Sequence, residues 1–569
     1  MRPLYRRTLG LAVVSLLAAS CWSGNEEPTE VAQRPKAGKR LQGAGKGSKA
    51  TARPVKPKGP APTGPNVLIL VWDTVRADHL SAYGYGLDTS PNLKAFAKEG
   101  VLYERAISPA MWTLPSHSAM FTGLPESANG ATADHKWLDD KFPTMAESFS
   151  DYGYDTYLFS ANPYLQDHTN VGQGFDTREY PWDPKWKRKA AANTRAKLIA
   201  DDASTELSPA YVEGEFSSGR PNDKVKEAGP VSAEALLTWV DGRAEAGRPW
   251  FAVINYMEAH APRIPSIESR SALFDVAAIA QQKKVDESYG RLLAYTTNVR
   301  EYTDAELATI AQVYDASLRD LDQATGALFD TLRERGVLDN TIVVITADHG
   351  EHLGEQHLLD HKYSVYNALI HVPLVIRYPA RLKPGVVTQV VSNLGIWGTV
   401  ADLAGAPPPP AGTLSPSLAD PSKLKPEAFS ELVAATPMAL GRMAKAGEQF
   451  EWGPFLRTYA AVQDNTHKCI VSHAKDGTDE QRKLFDLVAD PLEARDLPAA
   501  KAKAAAALCD RIVPWRATFT AYDPATGEKP PARAADPEMA ARLQALGYLD
   551  EGTKPADAPA GDKPATEGK

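Results

Sequence analysis

With 569 residues, the chain is long enough for more than one domain and a large buried core. Apolar residues at 43% and charged residues at 24% are ordinary globular proportions, and a net charge of −8 gives no basis for nucleic-acid binding. Past the N-terminus, no segment approaches the roughly 20 apolar residues of a membrane-spanning helix.

The chain opens with basic MRPLYRR and apolar TLGLAVVSLLAAS, the pattern of an export signal over residues 1–20. LLAASC, Leu16 to Cys21, resembles a bacterial lipobox, with Ala18 where leucine is preferred. That resemblance implies lipidation of Cys21 and a membrane anchor in the cell envelope. Trp22 and Ser23 leave no acidic residue beside the cysteine, which by resemblance to exported lipoproteins implies the outer membrane, facing the periplasm. Residues 21–65 are rich in Pro, Gly, Ala and Lys and read as a disordered tether.

Asn66 to Asp73, NVLILVWD, is an apolar run ending in a carboxylate. In Met111 to Gly123, MWTLPSHSAMFTG, an early proline and a late glycine bracket a short helix with Thr113 at its mouth, where backbone N–H groups favour an anion. Asp201 to Asp223 is polar and reads as a surface excursion. WFAVINYM (Trp250–Met257), TIVVITADHG (Thr341–Gly350) and VPLVIRYP (Val372–Pro379) repeat the first apolar pattern. Such Val/Ile-rich runs predict strands buried on both faces of a mostly parallel sheet, with Asp304 to Gly336 as a crossover helix.

APPPPAG, Ala406 to Gly412, breaks the pattern. Arg457–His473 then alternates about an Asp-Asn turn and predicts an antiparallel hairpin. The expectation is an α/β catalytic domain over 66–411, a smaller antiparallel subdomain over 412–550, and a disordered tail over 551–569. Cys469 and Cys509 are too few for a disulfide framework or a thiolate cluster. Pairing in an oxidising compartment and free buried thiols both stay open.

Asp73, Asp348 and His349 each follow a predicted strand. Ligands gather beyond the carboxyl ends of strands in open α/β sheets, and two carboxylates with one imidazole suit a divalent cation. With the neighbouring TLPS, NYMEAHAPR, YNALIHVPLVIRYP and KLFDLVADPLEARDL, and with LQALGYL near the end, these motifs resemble the sulfatase family of the alkaline phosphatase superfamily. The resemblance spans roughly Asn66 to Asp550. It implies an alkaline-phosphatase-like fold and a hydrolase of sulfate or phosphate esters.

Carried over position by position, Asp73, Asp348 and His349 match the family's metal ligands, and Thr113 matches its nucleophile, itself a ligand candidate. His260 matches a histidine on the transferred group or leaving oxygen. His361 and Lys362 are both candidates for a cation in the next loop. Asn162 either reaches the substrate or forms a turn before Pro163. One divalent ion is expected (Mn, Zn, Ca or Mg), since no second Asp-x-x-x-His pair precedes Asp348. His352 reads as a solvated residue on a helix face.

The departures bear on chemistry. The family signature begins C-x-P-S-R or S-x-P-S-R, and its first residue becomes formylglycine. Threonine cannot yield that aldehyde, and His117 stands at the arginine position as a further catalytic candidate. Thr74 replaces a second Asp, Asn367 and Ala368 replace an acidic residue, and Gly395 occupies an Asp position. The expected partner is a sulfated or phosphorylated small molecule, glycan or lipid, with no nucleic acid. The alternatives are a phosphoethanolamine-transferase-like enzyme acting on envelope lipid or glycan, and a binding lipoprotein with a decayed site.

Overall fold

A computed structural model of the chain describes residues 59–203, 228–434, 453–474, 477–498, 502–528 and Leu543. The export signal, Cys21, most of the tether, 204–223 of the polar excursion, LQALGYL beyond Leu543, and the tail lie outside the described residues. Among the described residues, no helix is long and apolar enough to cross a membrane.

A nine-stranded sheet forms the centre. Its strands are β1 (Asn66–Trp72), β2 (Val101–Ile107), β3 (Asp155–Ser160), β4 (Thr177–Glu179), β5 (Trp250–Tyr256) and β6 (Thr341–Thr346), then β9 (His371–Val372), β10 (Leu374–Arg377) and β11 (Gly385–Ser392). Two short strands, β7 (His352–Leu353) and β8 (Leu359–Asp360), pair separately. The order is β11-β2-β10-β6-β1-β5-β3-β4, with β9 beside β2. The Val/Ile-rich runs fill the middle because β5 and β6 are buried along their whole length and β1 from Val67 onward.

β1 is parallel to β5 and β6, whereas β10 is antiparallel to both β6 and β2. The VPLVI run therefore forms a strand, but in the opposite sense to most of the sheet. The helix Asp304–Glu334 starts with a capping box at Thr303 and Glu306. It connects β5 to β6 across β1.

A second sheet, β12 (Ala428–Leu432), β13 (Arg457–Gln463), β14 (His467–Ala474) and β15 (Gln481–Asp486), is wholly antiparallel. Alternation along β14 turns Ile470 into the main core, while Cys469 and Val471 join Leu508 and Ile512. Cys469 and Cys509 form a disulfide across that smaller core.

Candidate active site

The sheet delivers its chemistry at one edge. Asp73 follows β1, the Thr113 helix follows β2, Asn162 follows β3, His260 follows β5, and Asp348 and His349 follow β6. These five strands run in the same direction, so their carboxyl ends converge. Asp73, Thr113, His117, Asn162, Asp348 and His349 are all fully buried.

Asp73, Asp348 and His349 each offer a ligand atom within 4.8 Å of the others. His349 Nδ1 lies 2.9 Å from the Gly350 carbonyl, which fixes the proton there and leaves Nε2 with a lone pair. That Nε2 lies 3.3 Å from Asp348 Oδ2, and neither atom has a hydrogen-bond partner. Burial and the nearby Asp73 push the Asp348 carboxyl well above its ordinary range. Burial and the neighbouring His361 hold His349 well below its own. Two carboxylates and an imidazole lone pair, buried face to face with Asp348 Oδ2 and His349 Nε2 lacking hydrogen-bond partners, form a donor set that fits a divalent cation.

Asp73 is oriented by two amides. Asn162 Nδ2 donates to its Oδ2 at 2.9 Å and Asn255 Nδ2 at 3.1 Å. Asn255 is a site residue that the sequence reading missed. Its signal is an amide inside a strand that is otherwise apolar and buried throughout.

Thr113 is the first residue of a ten-residue helix, with Trp112 as N-cap and Gly123 closing it at φ +66°. Asn162 Nδ2 donates to Thr113 Oγ1 at 3.0 Å. Ser116 Oγ donates to the Asp348 carbonyl at 2.6 Å, which ties the helix that begins at Thr113 to the Asp348–His349 loop. Gly350 gives that loop its close packing, since a Cβ would lie 2.1 Å from the Ala368 carbonyl oxygen. His117 Nδ1 donates to the Thr113 carbonyl at 3.0 Å and lies 3.5 Å from Asp348 Oδ2. Burial lowers its pKa to about 4, so it is a neutral imidazole where the family has a cation.

The cations come from the loop around β8. The His361 ring lies 4.5 Å from His349 and 5.1 Å from His260, centroid to centroid. His361 Nδ1 lies 2.8 Å from Asp360 and 3.1 Å from Glu351. Burial opposes its charge, but Asp360 and Glu351 outweigh burial and raise its pKa to about 9. Lys362 is lowered by burial, while Asp360, Glu351 and Asp73 attract its charge. The candidates His260, His361 and Lys362 thus share one neighbourhood.

Glu351, Asp360 and His361 also bring three ligand atoms together. Arg263 bridges Glu351 at 2.9 Å and Glu287 at 2.6 Å, and Lys362 lies 3.8 Å from Asp360. That triad is an ion-pair network with its own cations. His352 departs from expectation: it is buried in β7, not solvated on a helix, and its Nε2 meets Ser364 Oγ at 2.8 Å. Gly395 leaves no room for the family's carboxylate, since a Cβ would meet Leu418 at 2.5 Å. Asn162 makes its turn, with Oδ1 accepting from the Tyr164 N–H at 2.9 Å, while its nitrogen faces Asp73 and Thr113.

A mostly parallel α/β sheet with a hydroxyl, two carboxylates and an imidazole at its carboxyl edge is the arrangement of an ester hydrolase. The sulfatase family model matches residues 65–406, more than half of the chain, and the chain belongs to that family. Arylsulfatase K of Bos taurus is 25% identical over 61% of this chain, and the match spans 64% of that relative's own length. N-acetylglucosamine-6-O-sulfatase of Bacteroides thetaiotaomicron is 24% identical, covering 76% of this chain and 82% of its own. Among solved structures, the phosphonate monoester hydrolase of Silicibacter pomeroyi shares the fold, with a TM-score of 0.60 and 22% identity. That match covers 80% of this chain and 96% of the hydrolase.

Proposed function

We propose that the chain hydrolyses esters of sulfate, phosphate or phosphonate, with Thr113 as nucleophile and one divalent cation held by Asp73, Asp348 and His349. One observation carries this reading. A single amide nitrogen reaches Asp73 at 2.9 Å and Thr113 at 3.0 Å, and the three ligand groups lie within 4.8 Å of one another.

A bound dication of the Mn, Zn, Ca or Mg class supplies Lewis-acid stabilisation of the charge developing on the ester oxygens. Thr113 Oγ1 bonds to the sulfur or phosphorus as the bond to the leaving oxygen breaks, and the hydroxyl proton ends, in balance, on the leaving alcohol. Water then cleaves the covalent Thr113 ester, releasing the sulfate, phosphate or phosphonate and restoring the threonine hydroxyl, so one water is consumed and one alcohol is released. The helix N-terminus favours the anion. His260, with His361 or Lys362, neutralises the outer oxygens or protonates the leaving group. Phosphorus esters are favoured, because threonine lacks the aldehyde that gives formylglycine sulfatases their release step. The similar fold of a phosphonate monoester hydrolase agrees with this choice.

We also propose export and lipid anchoring at Cys21, where the substrate is a small molecule, glycan or lipid. The Cys469–Cys509 disulfide supports an oxidising compartment. The deciding experiment is a panel of aryl sulfate, phosphate monoester, phosphodiester and phosphonate monoester, with metal removed and then Mn, Zn or Ca restored. Turnover of phosphorus esters that returns with metal and vanishes in Thr113→Ala is expected. Full turnover by Thr113→Ala, or none by the wild type under any condition, overturns the reading.

A further inference from the structure

We propose that Asn162 is a positioning residue that locks the nucleophile to the metal-binding carboxylate, and that it makes no donor contact with substrate. The proposal rests on Thr113 being the nucleophile.

The geometry settles which way the amide faces. Asn162 is fully buried, and its Oδ1 accepts from the Tyr164 N–H at 2.9 Å, so the NH2 end is turned inward. That nitrogen carries two hydrogens. It lies 2.9 Å from Asp73 Oδ2 and 3.0 Å from Thr113 Oγ1, with Met257 Sδ more distant at 3.3 Å. The two oxygen acceptors use both hydrogens, so no donor is left for an ester oxygen.

Two consequences follow for Thr113. A threonine in a helix divides between two χ1 wells, and the Asn162 bond selects one of them. The bond also strengthens as Oγ1 gains negative charge during attack, because hydrogen bonds to ionised acceptors are roughly twice as strong as neutral ones. The interaction is therefore worth more in the transition state than in the ground state, which is the condition for raising kcat. Asn162 and Thr113 are 49 positions apart, and Asn162 and Asp73 are 89 apart. One side chain thus fixes the relative position of the loops after β1 and β3 and of the helix after β2.

The test uses the full chain at saturating Mn, with metal content measured for each variant. Asn162→Ser keeps a turn-capping oxygen for Tyr164 but is too short to reach Asp73 or Thr113. Asn162→Thr keeps the same capping oxygen, is likewise too short to reach Asp73 or Thr113, and serves if the serine variant fails to fold. The readouts are kcat, KM and the affinity for inorganic phosphate, which measures anion binding without chemistry. Asn162→Ser is expected to lower kcat about 10- to 100-fold, the range for one hydrogen bond to a charged group. KM and phosphate affinity should stay within about threefold.

Unchanged kcat overturns the proposal. So does a tenfold weakening of KM and phosphate affinity with kcat preserved, which would make Asn162 a substrate contact. Thr113→Ala is run alongside. If it turns over normally, the nucleophile assignment falls and takes this proposal with it. If it is inactive while Asn162→Ser runs at the wild-type rate, only the positioning role fails.

Discussion

Replacing Asn255 by leucine removes one of the two amides that hold Asp73 while leaving Thr113 and its Asn162 bond in place. Asn255 Nδ2 donates to Asp73 Oδ2 at 3.1 Å, and its own Oδ1 accepts from Ser160 Oγ at 3.2 Å, so the amide is held in one orientation. Leucine has nearly the same shape and fits a strand that is buried along its whole length. A hydrogen bond to a charged group is worth about 1.5–3 kcal/mol. That corresponds to roughly 10- to 150-fold in a binding constant. The range agrees with the 10- to 100-fold typical for partners that orient metal ligands. The expected result is a 10- to 100-fold weaker affinity for Mn or Zn, measured by competition with a chelating dye, with kcat restored once metal is saturating. That rescue separates Asn255 from Asn162, whose substitution lowers kcat even at saturating metal. A folded Asn255→Leu protein that binds Mn as tightly as the wild type refutes the reasoning.

Thr74 lies at φ +63°, a left-handed conformation that is unfavourable for a β-branched residue and better tolerated by aspartate. Thr74→Asp, which restores the family's carboxylate, is expected to tighten Mn binding without lowering the melting temperature; chelator competition and calorimetry read the two effects. Burial lowers the pKa of His352 from 6.5 to about 4, so the folded protein keeps it neutral while the unfolded chain takes up a proton below pH 6.5. Stability is then lost as pH falls from 6.5 toward 4, at about 1.4 kcal/mol per pH unit and on the order of 3 kcal/mol in total. Urea titrations across that range should show a shallower slope for His352→Gln, and equal slopes contradict the assignment. The Cys469–Cys509 bond closes a loop of 40 residues, for which chain entropy predicts about 4 kcal/mol. Cys509→Ser should lower the melting temperature of the antiparallel sheet while leaving metal affinity within about twofold of wild type.

What could be read in the sequence follows from what a buried strand looks like. β1, β5 and β6 are visible as apolar runs because water reaches neither face, and the β13–β14 hairpin is visible because its residues alternate. The same burial hides direction. The run that forms β10 carries no mark of its antiparallel sense, which only its pairing with β6 and β2 reveals. Asp73, Asp348 and His349 could be proposed as ligands because each follows a strand, but the network that orients Asp73 was hidden. Asp73 meets Asn255 across 182 positions and Asn162 across 89, and no local pattern records such pairs. His352 misled for a similar reason. Read as a solvated residue on a helix face, it is instead buried where β7 pairs with β8 and Ser364 meets its ring.

The change from arginine to His117 shifts where the site keeps its positive charge. His117 is buried, neutral at working pH and bonded to the helix backbone, so it gives the anion no charge. The positive charge near the site lies instead on His361 and Lys362, carried on a loop with an unusual backbone. Gln356, His357, Asp360 and Lys362 all have positive φ, each a costly conformation that persists only where its surroundings impose it. The surroundings include the chain beyond β15: Gln356 Nε2 donates to the carbonyls of Leu492 at 3.0 Å and Glu493 at 3.1 Å. The Glu493 carboxylate in turn pairs with buried Lys468 at 2.7 Å, and Lys468 reaches Asn367 at 2.9 Å. Asn367, which stands where the family has an acidic residue, thereby helps fasten the antiparallel sheet to the segment that carries the cations. The smaller sheet and the segment beyond it thus fasten the loop that carries His361 and Lys362.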